Sequence, residues 1–376
     1  MKRFFSYSIL SFFLLLLPTG QASANNNDSI RLSLLTCAPG EEIYSLFGHT
    51  AIRYENSSQG IDVVFNYGLF SFNTPNFIFR FSLGETDYQL GATDYERFAA
   101  EYAFFGRSVW QQTLNLTDEE KTELIRLLQE NYRPENRVYR YNFFYDNCAT
   151  RPRDKIEESI AGKVIYPAEP QDGSLTFRDI VHQYCKGHPW ARFGIDLCIG
   201  SEADQPITQR QMMFAPFYLM DAFDGAQIKG DSIQRPLITA NELIVDATPE
   251  PDESDWMPTP LQCSLLLFIL TAAATIYGIR RRTGLWGIDL FLFGIAGIVG
   301  CVLAFLALFS QHPAVSSNFL LLVFHPGQLL FLPYIIYCVR KGKKCWYLTL
   351  NLAVLTLFIV LFPVIPQRFD LSLIHI

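Results

Sequence analysis

The sequence has neither a Cys-x-x-Cys nor a His-Glu-x-x-His spacing, so neither a structural zinc site nor a zincin-type centre is expected. No metal and no other cofactor is assigned. Its N-terminal two-thirds also lack a basic stripe interleaved with aromatics, and the formal charge is -7, from 30 Lys and Arg against 37 Asp and Glu. The electrostatic footprint of a phosphate-backbone binder is therefore missing, which argues against nucleic acid as a partner. Acidic residues almost vanish from the last third, which is largely apolar. The first two-thirds read as a globular domain large enough to bury one full core without staples.

The extreme N-terminus reads as a targeting segment. Lys2 and Arg3 form a positive start, Phe4 to Pro18 an apolar core too short for a comfortable span, and Ala22-Ser23-Ala24 a small-x-small cleavage site. Residues 1–24 are expected to be a signal peptide cleaved after Ala24, with an uncleaved anchor as the alternative. Either way the following domain is exported.

Four apolar stretches can each cross a hydrocarbon core, which takes about twenty helical residues. They run from Leu261 to Ile279, Leu285 to Phe309, Asn318 to Tyr337 and Trp346 to Val364. Arg280–Arg282 separate the first two, and Arg340, Lys341, Lys343 and Lys344 the last two, so both clusters belong on the cytoplasmic side. Ser310 to Ser317 carries no Lys or Arg and faces outward, as the exported domain must. His325-Pro326-Gly327 should kink the third stretch. Residues 246–260, with four prolines and a cluster of carboxylates, read as a short solvated linker between a domain at 25–245 and a membrane part at 261–376. His312 and Asn318 are candidates for contacting a lipid headgroup near the outer leaflet, with a loop histidine as the alternative for the former.

In the exported domain, Leu32–Leu35, Thr50–Tyr54 and Asp62–Tyr67 read as strands, the last two joined by a turn at Glu55–Gly60. An antiparallel hairpin brings His49, at the start of one, beside Asn66, near the end of the other. Thr117-x-x-Glu120 is a capping box opening a helix, and Val138–Tyr145 reads as an aromatic strand. Cys148 follows, just ahead of a helix that includes Lys155–Ile160. A thiol at a helix start is expected to have a depressed pKa, an adjacent His49 to act as its base, and Asn66 to hold the imidazole tautomer, with Tyr67 or Asp62 as alternatives. The Cys148 amide is a candidate oxyanion donor. A competing fate is a cystine, because the exported part has Cys37, Cys148, Cys185 and Cys198, and four cysteines allow three complete pairings. Cys185 with Cys198 is the candidate disulfide, and Cys37 with Cys148 would remove the nucleophile. Arg53, Arg151 and Arg153 are candidates for a phosphate headgroup or for surface ion pairs.

The segments Thr36–Gly40, Phe47–Arg53, Phe65–Gly68 and Tyr141–Arg151, together with Gln311-His312-Pro313 and Asn318, resemble the Lnb family of bacterial lipoprotein N-acyltransferases. The order His49, Asn66, Cys148 is similar to circularly permuted papain-like proteins, the lecithin:retinol acyltransferase-like and NlpC/P60 groups, and Asn147-Cys148 matches the Asn-Cys motif of the former. The resemblance implies an α+β permuted papain-like periplasmic domain followed by a four-helix transmembrane bundle in the bacterial inner membrane. It implies Cys148, His49 and Asn66 as catalytic residues, with Asn147, Arg53, Arg151, His312 and Asn318 in the substrate site and Cys37 and Tyr67 in support. The implied reaction moves an acyl chain from a membrane phospholipid, through a Cys148 thioester, to the α-amine of a lipoprotein's N-terminal cysteine. Two other functions use or spare the same residues: a membrane-tethered NlpC/P60-like cysteine peptidase or amidase, and a non-enzymatic lipid-sensing scaffold.

Overall fold

The computed structural model describes residues 29–168, 175–230, 234–247 and 257–375. The expected signal peptide, and residues 248–256 of the expected linker, lie outside the described residues. Among the described residues the exported part has ten strands: β1 (Ile30–Cys37), β2 (His49–Asn56), β3 (Ile61–Leu69), β4 (Asp87–Asp94), β5 (Val109–Leu114), β6 (Val138–Arg140), β7 (Lys163–Ile165), β8 (Gln227–Lys229), β9 (Gln234–Pro236) and β10 (Ile238–Val245). Seven form one antiparallel sheet in the order β10-β5-β1-β2-β3-β4-β6, and β7-β8-β9 form a second, small one.

β1 is buried on both faces, so all of Leu32–Cys37 is enclosed, the hydroxyls of Ser33 and Thr36 included. One face packs Leu32, Leu34, Ile52, Phe65 and Tyr67 against Leu124, Leu128 and Ile156 of two helices. The other packs Leu35, Cys37, Ala51 and Val64 under Phe98 of helix Tyr95–Phe104. Helix Asp118–Tyr132 opens on the expected capping box, with the Thr117 hydroxyl accepting from the Glu120 amide and the Glu120 carboxylate from the Thr117 amide. The aromatic strand expected to reach Tyr145 stops at Arg140. The Asn142 side chain accepts from the Phe144 and Tyr145 amides, and Asn142 closes a backbone bridge with Asp146. That local turn replaces the ladder and sends Phe144 into a second core with Phe177 and Phe214.

Among the described residues of the membrane part, Pro260–Arg281, Trp286–Phe309 and Trp346–Val364 are long and apolar enough to cross a bilayer. The third expected span is not one straight helix. Phe319–Leu330 and Leu332–Lys341 are bent by 72° against each other. Pro326 and Pro333 each remove an amide donor there. The broken segment also lies backbone-close to the second span: a Cβ on Gly297 would come within 2.6 Å of the Leu329 amide, and one on Gly300 within 2.5 Å of that of His325. Only glycine permits that approach.

The two parts are fastened at the outward face. The Gly200 amide donates to Ala314 O at 2.6 Å and the Ser201 amide to Ser317 O at 2.9 Å. Arg368, beyond the last span, bonds Asp179, Asp204 and Thr176. Beneath this junction Arg178 is fully buried, donating to Asp196 (2.7 Å), to Asp204 (2.8 Å) and to the carbonyls of Ile199 and Gly200. Removing this cation breaks two buried ion pairs, leaving Asp196 to His182 and Asp204 to Arg368; breaking a buried pair typically costs about 3–5 kcal/mol. Arg178→Met should therefore lower the thermal unfolding midpoint of the detergent-solubilised protein sharply. An unchanged midpoint would show that the network does not hold the junction.

Candidate active site

The site begins with a register. In the β1–β2 ladder Cys37 is directly opposite His49, and in the β2–β3 ladder Ala51 is opposite Asn66. Opposed residues, and residues two apart on a strand, share a face, so Cys37, His49 and Asn66 gather on one side of the sheet. Gly48 makes the approach to His49 possible. Its φ is +77°, and a Cβ there would lie 2.5 Å from the Cys37 carbonyl oxygen.

His49 Nε2 lies 3.2 Å from Asn66 Oδ1. An amide oxygen only accepts, so the bond fixes the tautomer with the proton on Nε2 and leaves Nδ1 as the basic nitrogen. Burial lowers the His49 pKa to about 4, against the Asn66 bond, which raises it; the nearby Arg107 lowers it further. The imidazole is thus neutral at physiological pH and ready to accept a proton.

Cys148 meets this strand start from the other side. Its sulfur accepts from the amide of Thr50, the residue after His49, and from its own amide. Gly68, with φ +90°, leaves open the space over the thiol: a Cβ there would sit 3.6 Å from Cys148 Cβ and 3.8 Å from the Tyr141 ring. The ladder shifts register in this stretch of β3, between Asn66 and Leu69. Cys148 precedes helix Thr150–Ser159, as expected, but its pKa does not fall. Burial raises it to about 11, outweighing the two amide hydrogen bonds that lower it. At rest Cys148 is a thiol and His49 a neutral imidazole, linked through the Thr50 amide that touches the sulfur.

Several side chains assigned to substrate are instead committed to structure. Asn147 is buried and satisfied. Its Nδ2 donates to Phe143 O and Phe214 O, and its Oδ1 accepts from the amides of Ala149 and Thr150, which pins the loop that carries Cys148. Arg53 is a buried ion pair with Asp62 (2.8 and 2.6 Å), donates to Gln111 and lies 3.4 Å over the Tyr95 ring, so it is closed to a headgroup. That pairing also takes Asp62 away from His49. Arg151 clamps Asp146 through two bonds of 2.6 and 2.8 Å and stacks on Tyr139. Tyr67 points to the opposite face from Asn66 and donates to Asn131 Oδ1, so it does not support the imidazole.

His312 Nε2 bonds Phe81 O at 2.6 Å. Asn318 Nδ2 donates to Leu197 O, and its Oδ1 accepts from the Leu320 amide and Gln367. Both residues join the exported domain to the membrane part rather than presenting free polar groups to lipid. Cys185 and Cys198, the candidate disulfide, are free thiols, as are Cys37 and Cys148. Helix Pro189–Cys198 spans about 15 Å and carries Cys198 to the end far from the turn that follows Cys185.

Sequence reasoning missed Tyr102, Arg107 and the part played by Tyr141. Tyr102 hydrogen-bonds the Cys37 thiol, whose pKa burial pushes up to about 12. Arg107 donates to Ala38 O at 2.8 Å and lies over the Tyr102 ring. Tyr141, expected only as part of the aromatic strand, borders the thiol. No local motif marks Tyr102 or Arg107, because each reaches the site only through tertiary packing. Gly68 was legible as part of Phe65–Gly68.

Comparison with curated proteins and with solved structures gives no match. Comparison with family models gives two: the Lnb N-terminal periplasmic domain matches residues 20–182, which hold His49, Asn66 and Cys148, and the Lnb transmembrane domain matches residues 252–376. With both halves matched in order, the chain belongs to the Lnb family, a periplasmic domain of sheet and helices followed by a helical membrane domain.

Proposed function

We propose that this protein is a lipoprotein N-acyltransferase of the bacterial inner membrane, crossing it several times, with a cysteine nucleophile. The reading rests on one arrangement above all: His49, held by Asn66, at the strand start whose next amide touches the Cys148 sulfur. Membership of the Lnb family supports the reaction class.

In the first half-reaction the Cys148 sulfur attacks the ester carbonyl of a membrane phospholipid while His49 Nδ1 takes the thiol proton. The tetrahedral oxyanion lies towards the Thr50 and Cys148 amides. Collapse breaks the ester C–O bond, and the imidazolium returns its proton to the departing lysophospholipid oxygen. In the second half-reaction the free α-amine of a lipoprotein's lipid-modified N-terminal cysteine attacks the thioester. His49 accepts a proton from the amine and delivers it to the leaving sulfur, which restores the thiol. The order is ping-pong. Because thiol and imidazole rest neutral, the thiolate exists only as the proton transfers. The membrane seat holds donor and acceptor beside the thiol, a proximity that a soluble enzyme would have to gain from binding.

Cys148→Ser should abolish N-acylation of a diacyl lipoprotein peptide presented with phospholipid, and His49→Ala should lower it about 10²–10⁴-fold, the usual share of a general base. Asn66→Ala should cost less than His49→Ala. The check is the mass gain on the peptide N-terminus; full activity in either of the first two variants removes the pair from the mechanism. The protonation states give a second expectation. Alkylation of Cys148 should climb steadily from neutral pH towards about 11, and the acid limb of kcat/KM should fall near about 4, where His49 protonates, rather than near its ordinary value. Fast alkylation that is flat between about pH 6 and 8 would instead indicate a standing thiolate–imidazolium pair.

A further inference from the structure

The segment between β3 and β4 has no counterpart in the chemistry described so far. Helix Phe77–Ser82 buries none of its residues, and its sequence is Phe-Ile-Phe-Arg-Phe-Ser. Ile78 is 80% exposed, Phe72 63% and Phe79 58%. A water-facing domain does not leave such a cluster bare without a partner. Its one charge, Arg80, is turned back onto Asp87 and the Glu85 carbonyl.

The position of the segment identifies that partner. The Phe79 ring lies 6.0 Å from Phe305 of the second span. Phe305 is four residues before the outward end of that helix, about 6 Å along its axis, at the outer edge of the hydrocarbon region. The Gln311 amide donates to Leu83 O at 2.8 Å, and His312 bonds Phe81 O, so the segment is fixed at that depth. Between it and the span runs an open groove of about 820 Å³, lined by Phe72, Thr74, Asn76, Phe77, Phe79 and Phe305 among others.

The groove lies to one side of the thiol, and a file of aromatic rings joins the two. Phe77 stacks on Phe70 at 5.9 Å, Phe70 meets Tyr88 at 5.0 Å, and Tyr88 stacks on Tyr141 at 4.2 Å. Tyr141 borders the space that Gly68 leaves over Cys148. The file is aromatic and continuous, two phenylalanines followed by two tyrosines, with one end at the groove and the other beside the space over Cys148.

We propose that this groove is the acyl-donor site: it takes one acyl chain of an outer-leaflet glycerophospholipid, which enters sideways past Phe79 and Phe305, while the rings guide its ester towards Cys148. The inference rests on the acyl-transfer reading for its purpose, but occupancy by lipid is independent of chemistry. The test therefore uses the full chain carrying Cys148→Ser in phospholipid bilayers, with a photo-crosslinking phenylalanine analogue replacing Phe79. Illumination should give a phospholipid adduct by mass. Filling the groove with Thr74→Trp or, separately, Ser82→Trp should lower its yield roughly tenfold. A protein-only adduct, or a lipid adduct of equal yield in both filled variants, overturns the groove as a chain site. A specific lipid adduct, combined with a Cys148-bearing protein that never acylates lipoprotein, would leave the groove standing and remove the acyl-transfer reading. An active enzyme indifferent to both fillings would do the reverse.

Discussion

The pairing of β1 with β2 and of β2 with β3 is the constraint on which the rest depends. With Cys37 opposite His49 and Ala51 opposite Asn66, the imidazole and the amide that orients it share one face. Side chains alternate along a strand, so a slip of one residue would turn His49 to the other face and away from Asn66. The register is held by burial on both sides of β1 and by Gly48, whose backbone crowds the Cys37 carbonyl as no other residue's could. Asn147 and Arg151 perform the matching task for the opposing loop, one through four hydrogen bonds and the other through a forked ion pair. His49 and Cys148 are each fixed by neighbours committed to the fold.

The membrane part extends the same logic to position. The outward loop with Asn318 bonds the exported domain at Leu83, Leu197, Gly200 and Ser201, and Gln367 and Arg368 after the last span bond it at Ile199, Thr176, Asp179 and Asp204, with Arg178 buried below. These are backbone contacts for the most part, which set height and orientation closely. Residues first assigned to lipid headgroups, His312 and Asn318, prove to be parts of that seat.

Much of this was legible in the chain. The three central strands, the Thr117 capping box, the outward face of the Ser310–Ser317 loop, and the neighbouring of His49 and Asn66 follow from alternation, capping chemistry and charge placement, all of which act locally. What was not legible depends on partners far along the chain. Arg53 looks available until Gln111 and Tyr95 are folded against it, and Asn147 looks like a substrate ligand until Phe214 supplies its second acceptor. The direction of the Cys148 pKa was misjudged for the same reason. A helix start lowers it through nearby amides, whereas the burial that raises it comes from the whole fold. The proline in the third membrane stretch announced a kink, but the glycines that admit the bent segment lie on another helix.

The central claim is that Cys148 carries the acyl group between donor and acceptor. The most direct measurement is intact and peptide mass spectrometry of the full chain after incubation in phospholipid bilayers with no lipoprotein acceptor. The account predicts a gain of one acyl chain on Cys148, released by hydroxylamine as a thioester is, and formed about 10²–10⁴-fold more slowly in the His49→Ala protein. Lysophospholipid formation by a Cys148→Ala protein, or an acyl group found on Cys37 with Cys148 unmodified, would contradict it.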